Sequence, residues 1–145
     1  MRFMGMLRAD QDTEAGALPS PDLMQRMGAF MEEVTRAGVL VATDGLQPSS
    51  KGARVRLQDG KVSVTDGPFT ESKELIASYA IFDVPTIQEA IDWTTRFLEV
   101  LGQGECEIRP IWEFTDFPED IFPPEAVAAE KAMRDEMEAR SGSQA

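Results

Sequence analysis

Residues 64–74 read VTDGPFTESKE. A carboxylate (Asp66), a flexible residue (Gly67), a rigid one (Pro68) and a large aromatic (Phe69) stand in succession there. The charges of Glu71, Lys73 and Glu74 follow at once. A carboxylate fixed at a turn is a candidate general base, and a wall of Gly67, Pro68, Phe69, Glu71 and Lys73 beside it is a candidate ligand contact. The same residues also make a turn. Asp accepts hydrogen bonds from backbone donors two residues on, Gly supplies unusual φ, and Pro presets the next dihedral. In that structural reading Phe69 plugs the sheet edge while Lys73 and Glu74 are solvated. Both readings account for the residue types.

The ligand reading rests on the arginine spacing. In ARVRLQ, residues 53–58, Ala53, Val55 and Leu57 share one face of a strand, so Arg54 and Arg56 share the other with Ser63 or Thr65. In the last strand Arg109 sits with Glu107, opposite the apolar set. If the apolar sets face the helices, all three arginines line the other face, where guanidinium forks recognise carboxylate or phosphate. Asp66 would then act as base, with Arg54 or Arg109 orienting the substrate in an elimination or isomerisation. The competing reading has these arginines bridging a dimer to Glu107 and Glu113. Tyr79, the only tyrosine, is either a proton donor in a cleft or a core tyrosine with its hydroxyl satisfied.

Composition removes much other chemistry. The chain has no histidine, which excludes serine–histidine and cysteine–histidine catalysis and the usual imidazole metal ligands. Acid–base work falls to Asp, Glu, Tyr or Lys. Cys106 is the only cysteine, so no internal disulfide forms, and neighbouring Glu105 and Glu107 oppose thiolate formation. Ser49-Ser50-Lys51-Gly52 lacks the glycine spacing and following helix of a phosphate loop. No cofactor and no metal are expected.

The elements that must position these residues follow from patterning. Residues 2–8 read as a strand apolar on both faces, and DQDTEAGALPS as a loop. Ser20 caps a helix with Pro21 in its first turn, an apolar face of Leu23, Met24, Met27, Phe30, Met31 and Val34, and Gly38 as its left-handed end. GVLVATDGLQPSSKG reads as a connection with a short extended piece at residues 39–41. Asp59-Gly60 is the two-residue turn of a tight hairpin. Residues 77–84 form another two-faced strand. Thr86 and Glu89 make a capping box for a helix with the stripe Ile87, Ala90, Ile91, Thr94, Leu98 and Leu101, ending at Gly102. In the last strand Ile108, Trp112 and Phe114 share a side, and Pro110 favours an edge. Pro123-Pro124 open a final helix with a thin apolar stripe.

This order predicts an α+β fold: a ferredoxin-like antiparallel sheet with helices on one face, plus a C-terminal helix. The expected division is a body at residues 1–114 and an acidic helical tail at residues 115–145. Two helices cannot cover both faces of two-faced strands. A homodimer with sheet packed toward sheet, in a dimeric α/β-barrel arrangement, supplies the cover, and the tail helix folding over that face is the alternative.

At 145 residues and net charge −12, the chain is long enough for one real core and carries no Lys/Arg cluster to neutralise phosphates, so no nucleic-acid partner is expected. No apolar run approaches the ~20 residues of a membrane span, and the start lacks a secretory pattern, which makes the cytoplasm the expected location. From Glu113 onward nine acids face three bases, half of the net charge. That tail is either a solvated surface or an acidic arm for a basic partner.

VTDGPFTESKE closely resembles the motif of the DGPF branch of the YCII-related proteins. GVLVATDGLQPSSKGARVR and EIRPI (residues 107–111) resemble that branch too, in the right order. The resemblance implies a small ferredoxin-like subunit that dimerises with a cleft between subunits, and a loose association with extracytoplasmic-function sigma factors. A related branch contains a dehydrochlorinase with an Asp–His pair. Asp66 resembles its aspartate, but this chain has no histidine to complete the pair. It reads RFLEVLGQGE where many relatives carry a Pro/His segment.

Overall fold

The structure, a computed structural model, describes residues 1–70 and 72–143. Glu71 of the candidate wall lies outside the described residues. The chain divides into two compact units, Met1–Ile111 and Trp112–Ala145.

The first unit holds a four-stranded sheet in the order β2-β5-β1-β6, with every neighbouring pair antiparallel. The strands are β1 (Arg2–Arg8), β2 (Leu40–Gly45), β5 (Ile76–Asp83) and β6 (Cys106–Pro110). Helix α2 (Pro21–Ala37) links β1 to β2, and α3 (Ile87–Leu101) links β5 to β6. This is the ferredoxin-like topology. Phe3, Phe30, Val34, Phe82, Val84 and Ala90 form the buried core between the helices and one sheet face.

The second strand of that topology is not the one expected. The connection after α2 contains β2, a full edge strand pairing with β5 across a register shift between Leu40 and Ala42. Its Val41 and its polar end ATDG hide it from a periodicity search, because an edge strand need bury only one side. The hairpin β3 (Ala53–Gln58) and β4 (Lys61–Asp66) is a separate two-stranded sheet inserted between β2 and β5. Its turn forms as expected, with Asp59 at φ 51° and Gly60 at φ 73°.

Local signals set the helix ends. The Ser20 hydroxyl accepts from the Leu23 N–H at 3.1 Å, and Gly38 closes α2 at φ 70°. Of the expected capping box on α3, the half in which Thr86 accepts from the Glu89 N–H is present, at 3.3 Å. The face of α3 is rotated from the expected stripe. Trp93, Phe97 and Val100 pack on the core beside buried Ala90 and Thr94, while Ile87 and Ile91 are exposed. Arg96 ties α3 to α2, reaching Glu33 at 2.6 Å and lying over the Trp93 ring at 4.9 Å. Within DQDTEAGALPS, expected as a loop, residues Gln11–Glu14 form a single helical turn (α1) with a complete capping box between Asp10 and Thr13. The Thr13 N–H and the Thr13 hydroxyl both donate to Asp10 Oδ1 and hold its carboxyl below its ordinary pKa.

β6 stops at Pro110, on the sheet edge, so Trp112 and Phe114 are not strand residues. They belong to the second unit, where Trp112 meets Phe117 and Phe114 stacks on Phe122 at 5.4 Å. Helix α4 (Pro124–Gly142) follows, with Arg134 over the Phe114 ring at 4.9 Å. Among the described residues no helix is long and apolar enough to cross a membrane.

Candidate functional site

The hairpin register brings Ala53 opposite Asp66, Arg54 opposite Thr65 and Arg56 opposite Ser63, so both arginines share a face with Ser63 and Thr65 as expected. Where β4 ends, the chain turns back on itself. The Gly67 N–H donates to the Gly52 carbonyl at 3.0 Å, and a cis bond leads to Pro68. A Cβ on Gly67 would stand 1.7 Å from the Ser49 carbonyl oxygen, so only glycine fits there. The Phe69 N–H donates to Ser49 Oγ at 3.0 Å, and Ser49 Oγ in turn donates to Glu14 Oε2 at 2.5 Å. Glu14 also accepts from the Ser49 N–H at 3.0 Å. The DGPF loop is therefore clamped to the Ser49–Lys51 turn and, through it, to α1.

Half-buried Phe69 carries the Arg54 guanidinium over its ring at 4.1 Å from the centroid. This stack joins two of the sequence-predicted residues. Asp66 and Pro68 are exposed, and register pairs Asp66 with Ala53, on the strand face opposite Arg54. The Asp66 carboxylate has no hydrogen-bond partner among the described residues, so the expected turn bond from Asp66 to the backbone is not made. Gly52, Ser49 and Glu14 hold the loop in its place.

The arginines do not share one surface. Arg54 and Arg56 stand on the hairpin, whereas Arg109 stands on β6 of the four-stranded sheet, opposite Met4. Register puts Arg109 and Glu107 with Met4, Met6, Tyr79 and Ile81 on the face away from the helices. None of Arg54, Arg56 and Arg109 makes an ion pair among the described residues. Glu107, one of the expected partners, is taken by Arg8 at 3.3 Å. Arg8 also donates to the Lys73 carbonyl at 2.8 Å, which fastens the end of the loop to β1, while the Lys73 side chain is solvated.

On the same sheet face the half-buried Tyr79 donates its hydroxyl to Asp44 Oδ2 at 2.9 Å. That bond, and next the Asp44 charge, raises the phenol pKa, which makes it a reluctant proton donor at neutral pH. Cys106 is free and half-buried. Burial first and the Glu105 charge second push its thiol up to about 11, so the thiolate is scarce. Among the described residues no group of three His, Cys, Asp or Glu could hold a metal ion.

Sequence reasoning missed Glu14, Ser49, Arg8 and Asp44. Glu14 and Asp44 fell in segments read as irregular, and Ser49 was weighed only as part of a phosphate loop. The local signal for the Ser49 turn is the QPSS run, which marks a turn without saying what docks on it.

Compared with known proteins, the chain is 29% identical over 90 residues to an uncharacterized protein of Rhizobium meliloti (strain 1021), spanning 61% of this chain and 73% of that relative. Among solved structures it matches 5-chloro-2-hydroxyhydroquinone dehydrochlorinase from Burkholderia phenoliruptrix AC1100, in complex with 2,5-dihydroxybenzoquinone. That match has 10% identity and a TM-score of 0.42, over 78% of this chain and 94% of that one. The YCII-related domain family matches residues 1–115, and this chain belongs to it.

Proposed function

We propose that this chain is a homodimeric domain that binds a small anionic or aromatic molecule at the DGPF loop. One observation carries the reading: the Arg54 guanidinium lies on the Phe69 ring at 4.1 Å and has no carboxylate partner among the described residues. An arginine laid on an aromatic ring keeps its fork of N–H donors free at the edge, where a carboxylate or phenolate can take two of them. The ring adds an apolar shelf for an aromatic body. Arg56, on the same strand face, adds positive charge in a chain that is otherwise strongly acidic. If the ligand reacts, Asp66 at the end of β4 serves as base and Arg54 orients the substrate, in an elimination or isomerisation. A solvent-exposed carboxylate without hydrogen bonds is free to accept a proton.

Thermal melting with benzoate, phenyl phosphate and phenol tests this. Ligand at about 100 Kd should add roughly 2.7 kcal/mol of stability. The expected result is a saturable rise in Tm that disappears in Arg54→Ala and persists in Asp66→Asn. A rise of equal size in Arg54→Ala would refute the site.

A second reading rests on the tail. Trp112–Ala145 is a compact unit of its own with half the net charge, and Met133 and Met137 are exposed on α4. In that reading the tail docks a basic protein partner, with a sigma factor of the extracytoplasmic-function type as the candidate. Capture of that sigma factor would then survive Arg54→Ala and vanish in a chain ending at residue 111.

A further inference from the structure

We infer that the layer between the four-stranded sheet and helices α2 and α3 holds a second binding site, for a small uncharged molecule with a compact apolar body and one hydrogen-bonding group. A cavity of about 60 Å³ lies there, lined by Gly5, Phe30, Met31, Phe82, Thr94 and Phe97 among others. It is separate from the DGPF loop, none of whose residues contributes to its wall.

Two features single this cavity out from ordinary packing defects. Thr94 is 6% exposed, and its Oγ1 is buried with no hydrogen-bond partner. Buried hydroxyls are almost always satisfied, and leaving one orphaned costs free energy that a bound group would recover. Opposite it, the central strand β1 carries a buried glycine. A Cβ at Gly5 would meet Thr94 Oγ1 at 3.7 Å and Phe82 Cε2 at 3.6 Å, ordinary contact distances, so an alanine fits without a clash. Glycine in the interior of a strand weakens it and marks close approach of another group. Here the methyl that an alanine would add stands against the orphaned hydroxyl, and Gly5 leaves that position unfilled.

The wall chemistry sets the ligand class. At the Thr94 end a water would find one hydroxyl and otherwise mostly aromatic and aliphatic carbon, short of the two to four partners a buried water needs, while the other polar side chains of the lining, Thr43, Ser78 and Cys106, belong to the sheet strands. A charged group would meet no counter-charge among the residues named, so anions of the kind proposed for the DGPF loop are excluded. An alcohol or phenol satisfies Thr94 with its oxygen and the Phe30, Phe82 and Phe97 side chains with its carbons. The cavity is smaller than the ~150 Å³ that holds benzene in an engineered core. A short-chain alcohol enters as it stands, and phenol enters by displacing the adaptable Met31 side chain. The Thr43 end of the lining is exposed and gives the entry.

The test is a titration of the isotope-labelled full chain with 1-butanol, phenol and toluene, followed by amide and methyl chemical shifts. Saturable shifts centred on Thr94, Phe82 and Gly5 are expected for 1-butanol and phenol. Thr94→Val, which keeps the shape and removes the hydroxyl, should weaken both roughly tenfold and leave toluene unchanged. Thr94→Ser should restore most of the affinity. Gly5→Ala should block all three probes while the chain melts at the same or a higher temperature, which distinguishes a filled cavity from a damaged fold. Shifts that do not saturate, shifts centred on Phe69, or equal phenol affinity in Thr94→Val would overturn the inference.

Discussion

Because Tyr79 is the only tyrosine in the chain, the bond from its hydroxyl to Asp44 can be read by absorbance titration. The bond raises the phenol pKa above its ordinary value of 10.0, so the folded chain keeps the proton longer than the unfolded chain does. The linked stability is therefore fully present below pH 10 and is lost as pH rises through the folded value. The ultraviolet titration of the folded protein should have its midpoint above 10, and Asp44→Asn should bring it back toward 10. A midpoint at or below 10 in the native protein would mean that the bond does not persist in solution. The sequence presented Tyr79 with both a catalytic and a structural role open, and the acceptor that decides between them was out of view. Asp44 sits on a strand whose residues LVATDG carry no alternation. The DGPF loop shows the same limit. Asp66, Gly67, Pro68 and Phe69 were legible as a motif, and Arg54 as a face partner. The clamp from Glu14 through Ser49 to Phe69 spans separations of 35 and 20 residues that no local pattern encodes.

The hairpin is the element whose packing raises the sharpest question. Val55 pairs with Val64 and Leu57 with Val62, and these four aliphatic side chains are 72%, 63%, 71% and 68% exposed. A two-stranded sheet alone is marginal in water, and an uncovered aliphatic face on it calls for a partner. A second copy fits the homodimer proposed above. Val55→Asp, paired with Val64→Asp on the opposite strand, should convert a dimer to a monomer in light scattering, with the circular dichroism of the ferredoxin-like body unchanged. Mass unchanged in the double variant would show that the hairpin stands outside the interface. Sequence reading found this hairpin because Asp59-Gly60 fixes its turn and its alternation is strict. It did not find that the hairpin leaves the main sheet, since alternation reports that one side differs from the other and not which layer each side meets. The same ambiguity rotated α3. That helix is apolar at Ile87, Ile91, Trp93, Phe97 and Val100 alike, so two stripes fit its sequence, and only the packing of Trp93 and Phe97 against Phe30 selects one.

Across the whole molecule, charge is the property the sequence states most plainly and the fold does least to neutralise. Fourteen basic residues face 26 acidic ones, and ion pairs such as Arg26–Asp22 and Arg140–Glu136 join exposed side chains. Pairs of that kind contribute about 0–1 kcal/mol each, too little to offset the mutual repulsion of a −12 surface at low salt. Raising sodium chloride shortens the screening length from ~30 Å at 0.01 M to ~8 Å at 0.15 M, which weakens long-range repulsion more than contacts at 3 Å. Tm should therefore rise over that range. The Trp112–Ala145 unit concentrates half the net charge in its short length, so a chain ending at residue 111 should show a smaller rise. Scanning calorimetry of both chains at the two salt concentrations separates the possibilities. A Tm that falls with salt would mean that short-range pairs such as Arg96–Glu33 and Arg8–Glu107 outweigh the net charge. An equal rise in both chains would place the repulsion within the ferredoxin-like body, and with it the requirement for basic groups such as Arg54 and Arg56 to gather any anion this protein binds.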